Sequence, residues 1–163
     1  MLVAVVSDTH LPKGRRTLPE SCRERLAAAD LIVHAGDVVG ASALRGLEAI
    51  GPPVMAVHGN VDDPELRREL PAERIVEVAG ARIGVVHDAG PARGRLTRLR
   101  RRFSAAVQAV VFGHSHVPLH EEEAGFQIFN PGSPTERRRQ PRPTMGLARV
   151  HDGRVTFELV AFE

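Results

Sequence analysis

Five short apolar runs in this 163-residue chain each lead straight into a side chain of the kind that holds a metal. Leu2 to Val6 runs into Asp8 and His10, Leu31 to Val33 into Asp37, and Val54 to Val57 into Asn60. Ile83 to Val86 runs into His87, and Val107 to Phe112 into His114 and His116. Short runs rich in β-branched residues are what buried parallel strands look like in sequence, because both of their faces are covered. In open α/β sheets, ligands gather beyond the carboxyl ends of the strands. The pattern therefore predicts seven candidate ligands along one edge of one sheet. Carboxylate and amide oxygens mixed with imidazole nitrogens, with no thiolate among them, suit a borderline transition metal, and the set is too large for one ion.

What lies between the runs supports a mostly parallel sheet. Glu20 to Ala29 and Ala41 to Ile50 carry apolar residues at helical spacing, and Asp63-Pro64-Glu65 before Leu66 is a capped helix start with proline at the first position. Ala92 to Ser104 sets Leu96, Leu99 and Phe103 on one face and arginines over the rest, the pattern of a solvated amphipathic helix. After His116 the pattern turns to hairpins: Val117 to His120 with Phe126 to Phe129 across Ala124-Gly125, and Thr144 to Val150 with Val155 to Val160 across Asp152-Gly153. These read as a β layer added to the first half. Ser133 to Pro143, rich in proline and arginine, reads as an irregular loop.

Composition narrows the function classes. The length fits one domain spanning residues 1–163, and no apolar run approaches the roughly 20 residues that span a bilayer. The opening run is too short for a signal-peptide core and lacks a basic flank, so it reads as the first strand of a cytoplasmic protein. Cys22 is the only cysteine, which excludes an internal disulfide or a thiolate zinc site. With 22 basic against 20 acidic residues and no tyrosine or tryptophan, neither a basic field nor an aromatic platform for nucleic acid is present.

Each ligand candidate alone has a plain structural explanation: Asp8 and Asp37 as helix caps, Asn60 as a turn former, His87 as a core histidine. Their joint placement does not. The pairs Gly36-Asp37, Gly59-Asn60 and Gly113-His114 add a second regularity, since glycine before a ligand permits a sharp turn and close approach. In this order, Asp8-Thr9-His10, Gly36-Asp37, Gly59-Asn60, His87 and Gly113-His114-Ser115-His116 resemble the blocks of the calcineurin-like metallophosphoesterase superfamily. Within it the chain is similar to small bacterial and archaeal phosphodiesterases of the YfcE type and to the Vps29 scaffold.

The resemblance implies an α/β fold arranged as a four-layer αββα sandwich. It implies that Asp8, His10, Asp37 and His116 hold one divalent metal and Asp37, Asn60, His87 and His114 a second, with Asp37 bridging. Manganese is the expected ion, with iron, zinc, nickel and cobalt as rivals. Catalysis would run through Asp37, Asn60 and His114 acting on a metal-bridging water or hydroxide, with no protein nucleophile. Asn60, Ser133 and Arg137 are the expected substrate contacts, the guanidinium being suited to a phosphate. The substrate would be a small phosphodiester or other phosphate ester, and the family resemblance points to a homodimer. The alternative is a Vps29-like non-enzymatic interaction scaffold that keeps a metal site.

Two departures from the family pattern stand out. Superfamily phosphatases often place a histidine after the Gly-Asn pair to protonate the leaving group, and this chain has Val61. Alkyl monoesters should therefore be poor substrates and diesters better ones. Asp88 stands after His87 where the family usually has glycine, and it reads as the start of a turn or as a hydrogen-bond acceptor for an imidazole. His34 and His58 lie close by in sequence and read as structural, as do His120 and His151.

Overall fold

The computed structural model describes residues 1–103 and 106–163, so the expected helix end at Ser104 lies outside the described residues. In chain order the elements are β1 (Leu2–Val6), α1 (Glu20–Ala27), β2 (Leu31–His34), α2 (Ala41–Glu48), β3 (Val54–Ala56), α3 (Pro64–Glu69) and β4 (Glu73–Val78). Then follow β5 (Ala81–Val86), α4 (Arg95–Arg102), β6 (Ala109–Val111), β7 (Leu119–Glu123), β8 (Phe126–Asn130), β9 (Thr144–His151) and β10 (Arg154–Ala161). Among the described residues no helix is long and apolar enough to cross a membrane.

The strands form two five-stranded sheets, not one. The first has the order β10-β9-β1-β2-β3 and the second β4-β5-β6-β8-β7. β1, β2 and β3 are parallel, with Val5 opposite Val33 and Val33 opposite Met55, while β9 and β10 extend that sheet antiparallel. β5, β6 and β8 are parallel in the second sheet, edged by antiparallel β4 and β7. The single sheet edge expected from the sequence is thus divided: three runs end in one sheet and two in the other. The break falls at β4, an alternating strand that turns back into β5 through Ala79-Gly80 and so opens a new sheet. The late hairpins are likewise no separate layer, since β7 and β8 join the second sheet and β9 and β10 the first.

Three apolar cores explain the layering. Between the sheets, Val3, Val5, Val33, Ile83, Val85, Val111, Phe129 and Ala148 interleave, and the Phe129 ring stacks on Phe157 with centroids 4.4 Å apart. Outside the first sheet, Ala4, Val6, Ile32 and Met145 meet Cys22 and Leu26 of α1 and Leu47 of α2. Outside the second, Val110, Phe112 and Ile128 meet Leu99 of α4 and Phe103. The result is the αββα sandwich, with each fully buried aliphatic side chain contributing roughly 1.5–3 kcal/mol. Burial pushes the Cys22 thiol up to about 12, so it behaves as a small apolar residue. At α3 the Asp63 carboxylate accepts the Leu66 amide at 2.9 Å with Pro64 inside the first turn, the cap read from the sequence.

Candidate metal centre

The loops that leave β1 and β2 are stitched together by main-chain bonds. Asp8 N donates to Gly36 O (3.0 Å), His10 N to Asp37 O (3.0 Å) and Leu11 N to Val38 O (2.8 Å). Asp8 (φ 54°) and His10 (φ 47°) both take left-handed backbone conformations, as do Asp37 (59°), His114 (69°) and His116 (59°). Residues with side chains rarely adopt that region, at roughly 1–2 kcal/mol each. Here it turns successive side chains inward over a very short stretch.

Asp8 is fully buried. Its Oδ2 accepts from the Ser7 hydroxyl at 2.7 Å and from His114 N at 3.0 Å, which leaves Oδ1 facing His116 Nε2 at 3.3 Å and His10 Nε2 at 3.8 Å. Asp37 is tied similarly: Oδ1 accepts Val61 N at 3.0 Å, and Oδ2 faces His87 Nε2 at 3.2 Å and His10 Nε2 at 3.6 Å. Asn60 Oδ1 stands 3.0 Å from both His87 Nε2 and His114 Nδ1. The structure therefore brings all seven sequence-predicted ligands together, across two sheets.

Outer contacts fix which ring nitrogen faces inward. His87 Nδ1 donates to Ala35 O at 2.8 Å, and His116 Nδ1 to Glu136 O at 2.5 Å, so each turns its Nε2 toward the centre. Two glycines are required by close approach. A Cβ on Gly59 would lie 2.0 Å from Asp37 Oδ1, and one on Gly113 would lie 1.8 Å from Ser7 Oγ.

Whether these residues suit a cation is decided by the orphaned atoms. Asp8 Oδ1, His10 Nε2 and His116 Nε2 are buried and make no hydrogen bond among the described residues. Buried polar atoms without a partner cost about 1–3 kcal/mol each, and three converging on one point need a common partner. Donor atoms of Asp8, His10 and His116 all lie within 4.8 Å of one another, and so do those of Asp8, Asp37 and His87. Two nitrogen or oxygen donors held at about 2.1 Å from one ion stand roughly 3.0–3.5 Å apart, and the facing donors here lie between 3.0 and 3.8 Å. The set fits divalent cations.

Electrostatics agree. Burial pushes the Asp8 carboxyl up, but His10, His116 and His87 together outweigh it and hold the group ionised, well below the usual carboxylate range. Asp37 is lowered too: burial opposes ionisation, and the His87 hydrogen bond and charge and the Val61 amide overcome it. Burial alone would lower His87, yet Asp37 and Asp8 raise it.

Two supporting carboxylates were missed in the sequence. Asp62, buried, accepts from Asp37 N (3.1 Å), Gly59 N (2.6 Å) and Val39 N (2.6 Å), clamping the loops that carry Asp37 and Asn60. Glu136 stands 3.7 Å from His10 Nδ1 and pairs with Arg16 at 2.8 Å, while its carbonyl orients His116. Burial pulls its carboxyl up, but Arg16 and His10 outweigh that and lower it. The acidic residue two places after Asn60 was the available signal for Asp62; Glu136 gave none.

The remaining candidates are not all at the centre. Ser133 is buried, with its hydroxyl donating to Asp8 O at 2.8 Å, and Arg137 Nη1 donates to Gln140 O at the surface. His34 is buried and held neutral, its Nδ1 accepting Gly36 N at 3.2 Å and Nε2 donating to Thr9 Oγ1 at 3.0 Å. Burial brings its pKa down to about 4. Asp88 accepts Gly90 N at 2.7 Å, a turn role. His120 stands T-shaped to the stacked rings of Phe129 and Phe157, and His151 is exposed beside Asp152. A cleft of about 260 Å³ opens beside Asn60 and His87, and His58 lines it.

Residues 1–153 match the model of the calcineurin-like phosphoesterase superfamily domain. The chain belongs to this superfamily. A probable metallophosphoesterase of Methanothermobacter thermautotrophicus is 32% identical over 161 residues, covering 98% of this chain and 92% of the relative. Phosphodiesterase MJ0936 of Methanocaldococcus jannaschii is 24% identical over 145 residues, covering 81% and 83%. Vps29 from Entamoeba histolytica complexed with Zn²⁺ superposes with a TM-score of 0.79 at 24% identity over 100% of each chain, a likeness of fold. As a calcineurin-like phosphoesterase, the chain is a hydrolase of phosphate esters by family, and it carries a candidate metal-ligand set.

Proposed function

We propose that the protein is a phosphodiesterase dependent on two divalent metal ions. Asp8, His10, Asp37 and His116 would hold one ion and Asp37, Asn60, His87 and His114 the other. The three orphaned donors Asp8 Oδ1, His10 Nε2 and His116 Nε2 carry this reading. Paired cations, when bound, lower the pKa of water and neutralise charge on a reacting phosphoryl group. The chain's own part is to fix the donors. Asp37 Oδ2 lies between His10 and His87, as a shared ligand must, and Asn60 contributes a neutral oxygen that limits negative charge facing a phosphate.

Diesters are favoured because Val61, 44% exposed, puts a hydrocarbon where a proton donor would serve an alkoxide leaving group. Metal analysis followed by assay of bis(p-nitrophenyl) phosphate against an alkyl monoester with added manganese tests the reading. Wild type should bind two ions and favour the diester, and Asp37→Asn should lose an ion and fall to background. Full activity in Asp37→Asn, or alkyl monoester turnover above that of the diester, would overturn it. Two bound ions with neither ester hydrolysed would favour the docking scaffold.

A further inference from the structure

We propose that the cleft beside Asn60 and His87 receives a second anionic group on the substrate, with Arg67 as the specificity-determining residue. This rests on the reading of the centre as a phosphoesterase site and adds a substrate class to it: phosphoesters whose second half carries its own phosphate or carboxylate. The cleft shares Asn60 and His87 with the metal centre, so a phosphoryl group there has this space as its nearest neighbour.

Arg67 lines the cleft seven residues after Asn60. Its Nε donates to Asp62 O at 3.0 Å and its Nη2 to Asn60 O, so the guanidinium is held by the ligand loop itself. Those partners are neutral carbonyls, and no carboxylate lies within ion-pair distance among the described residues. Nη1 makes no hydrogen bond among them either. Arg102, also on the cleft, differs: Glu73 neutralises it at 2.7 Å. A fixed guanidinium with full charge and free donors is suited to two-pronged binding of phosphate or carboxylate. Asp88 on the cleft repels an anion from its own side, which leaves the Arg67 wall as the place where one is bound.

Structural stapling of the Asn60 loop would explain the two carbonyl bonds but not the unneutralised charge. The experiment separates these roles by equilibrium binding to manganese-loaded protein, measured calorimetrically with 3-phosphonopropanoate and propylphosphonate, which differ by one carboxylate. Wild type should prefer the carboxylate compound by roughly tenfold, the value of one charge-assisted hydrogen bond. Arg67→Gln should bring the two within about twofold while metal content and propylphosphonate affinity stay unchanged, Arg67→Lys should restore part of the preference, and Asp88→Asn should widen it. No preference in wild type, a preference that survives Arg67→Gln, or an equal loss for both compounds would overturn the proposal. A preference that behaves as expected in a protein unable to hydrolyse bis(p-nitrophenyl) phosphate would overturn the catalytic reading and leave the anion subsite standing.

Discussion

The two halves of the candidate metal centre are built differently. Asp8, His10 and His116 are at most 9% exposed, and the atoms of Asp8 and His116 that do not face the centre are tied to the chain: Asp8 Oδ2 to Ser7 and His114 N, His116 Nδ1 to Glu136 O. Asn60 and His114 are exposed and meet each other at 3.0 Å. The buried half is thus imposed by the fold, with little freedom to reorganise around a cation. The open half borders the cleft and can admit a substrate. Rigidity belongs where ions stay, and access where esters come and go.

This contrast sets an order of expected effects. Asp62→Ala removes the acceptor of three main-chain amides that serve both halves and should lower unfolding stability by about 3 kcal/mol or more, read by denaturant titration. A loss below 1 kcal/mol would mean those loops hold themselves. Glu136→Gln, at the buried half, should weaken metal affinity by roughly 10–100-fold with the fold intact, as loss of an orienting carboxylate generally does. Unchanged affinity would show that backbone bonds alone orient His10 and His116.

His34 braces the Thr9 and Gly36 loops. Its folded pKa is depressed, so its stabilising effect is full above the ordinary histidine value of 6.5 and is lost as pH falls through about 4. Metal-free protein should lose up to about 1.4 kcal/mol per pH unit in that window, and His34→Gln should flatten the slope. Equal slopes in the two proteins would assign the acid sensitivity elsewhere. Smallest is His114→Ala at the open half, which should leave metal-free stability within about 0.5 kcal/mol of wild type. A larger loss would erase the distinction between the halves.

The convergence of the seven candidate ligands was legible because each follows a strand, and a strand needs only its own residues to declare itself. Which sheet a strand joins was not, since pairing depends on a distant partner: Glu73 to Val78 alternates plainly, but only its pairing with β5 reveals the second sheet. Asp62 and Glu136 were hidden for a related reason. Asp62 serves main-chain amides up to 25 positions away, and any residue type supplies an amide, so no side-chain pattern marks the receiving end. Val61 was informative because it departs from an expected residue. The contact it makes, an amide to Asp37 Oδ1, is independent of its side chain.

Five of the seven ligand positions sit in left-handed backbone. Glycine would relieve that strain, but at Asp8 and Asp37 it would also strip the acceptors that hold Ser7, the His114 amide and the Val61 amide. The candidate site therefore carries a standing conformational cost that the rest of the metal-free fold has to offset.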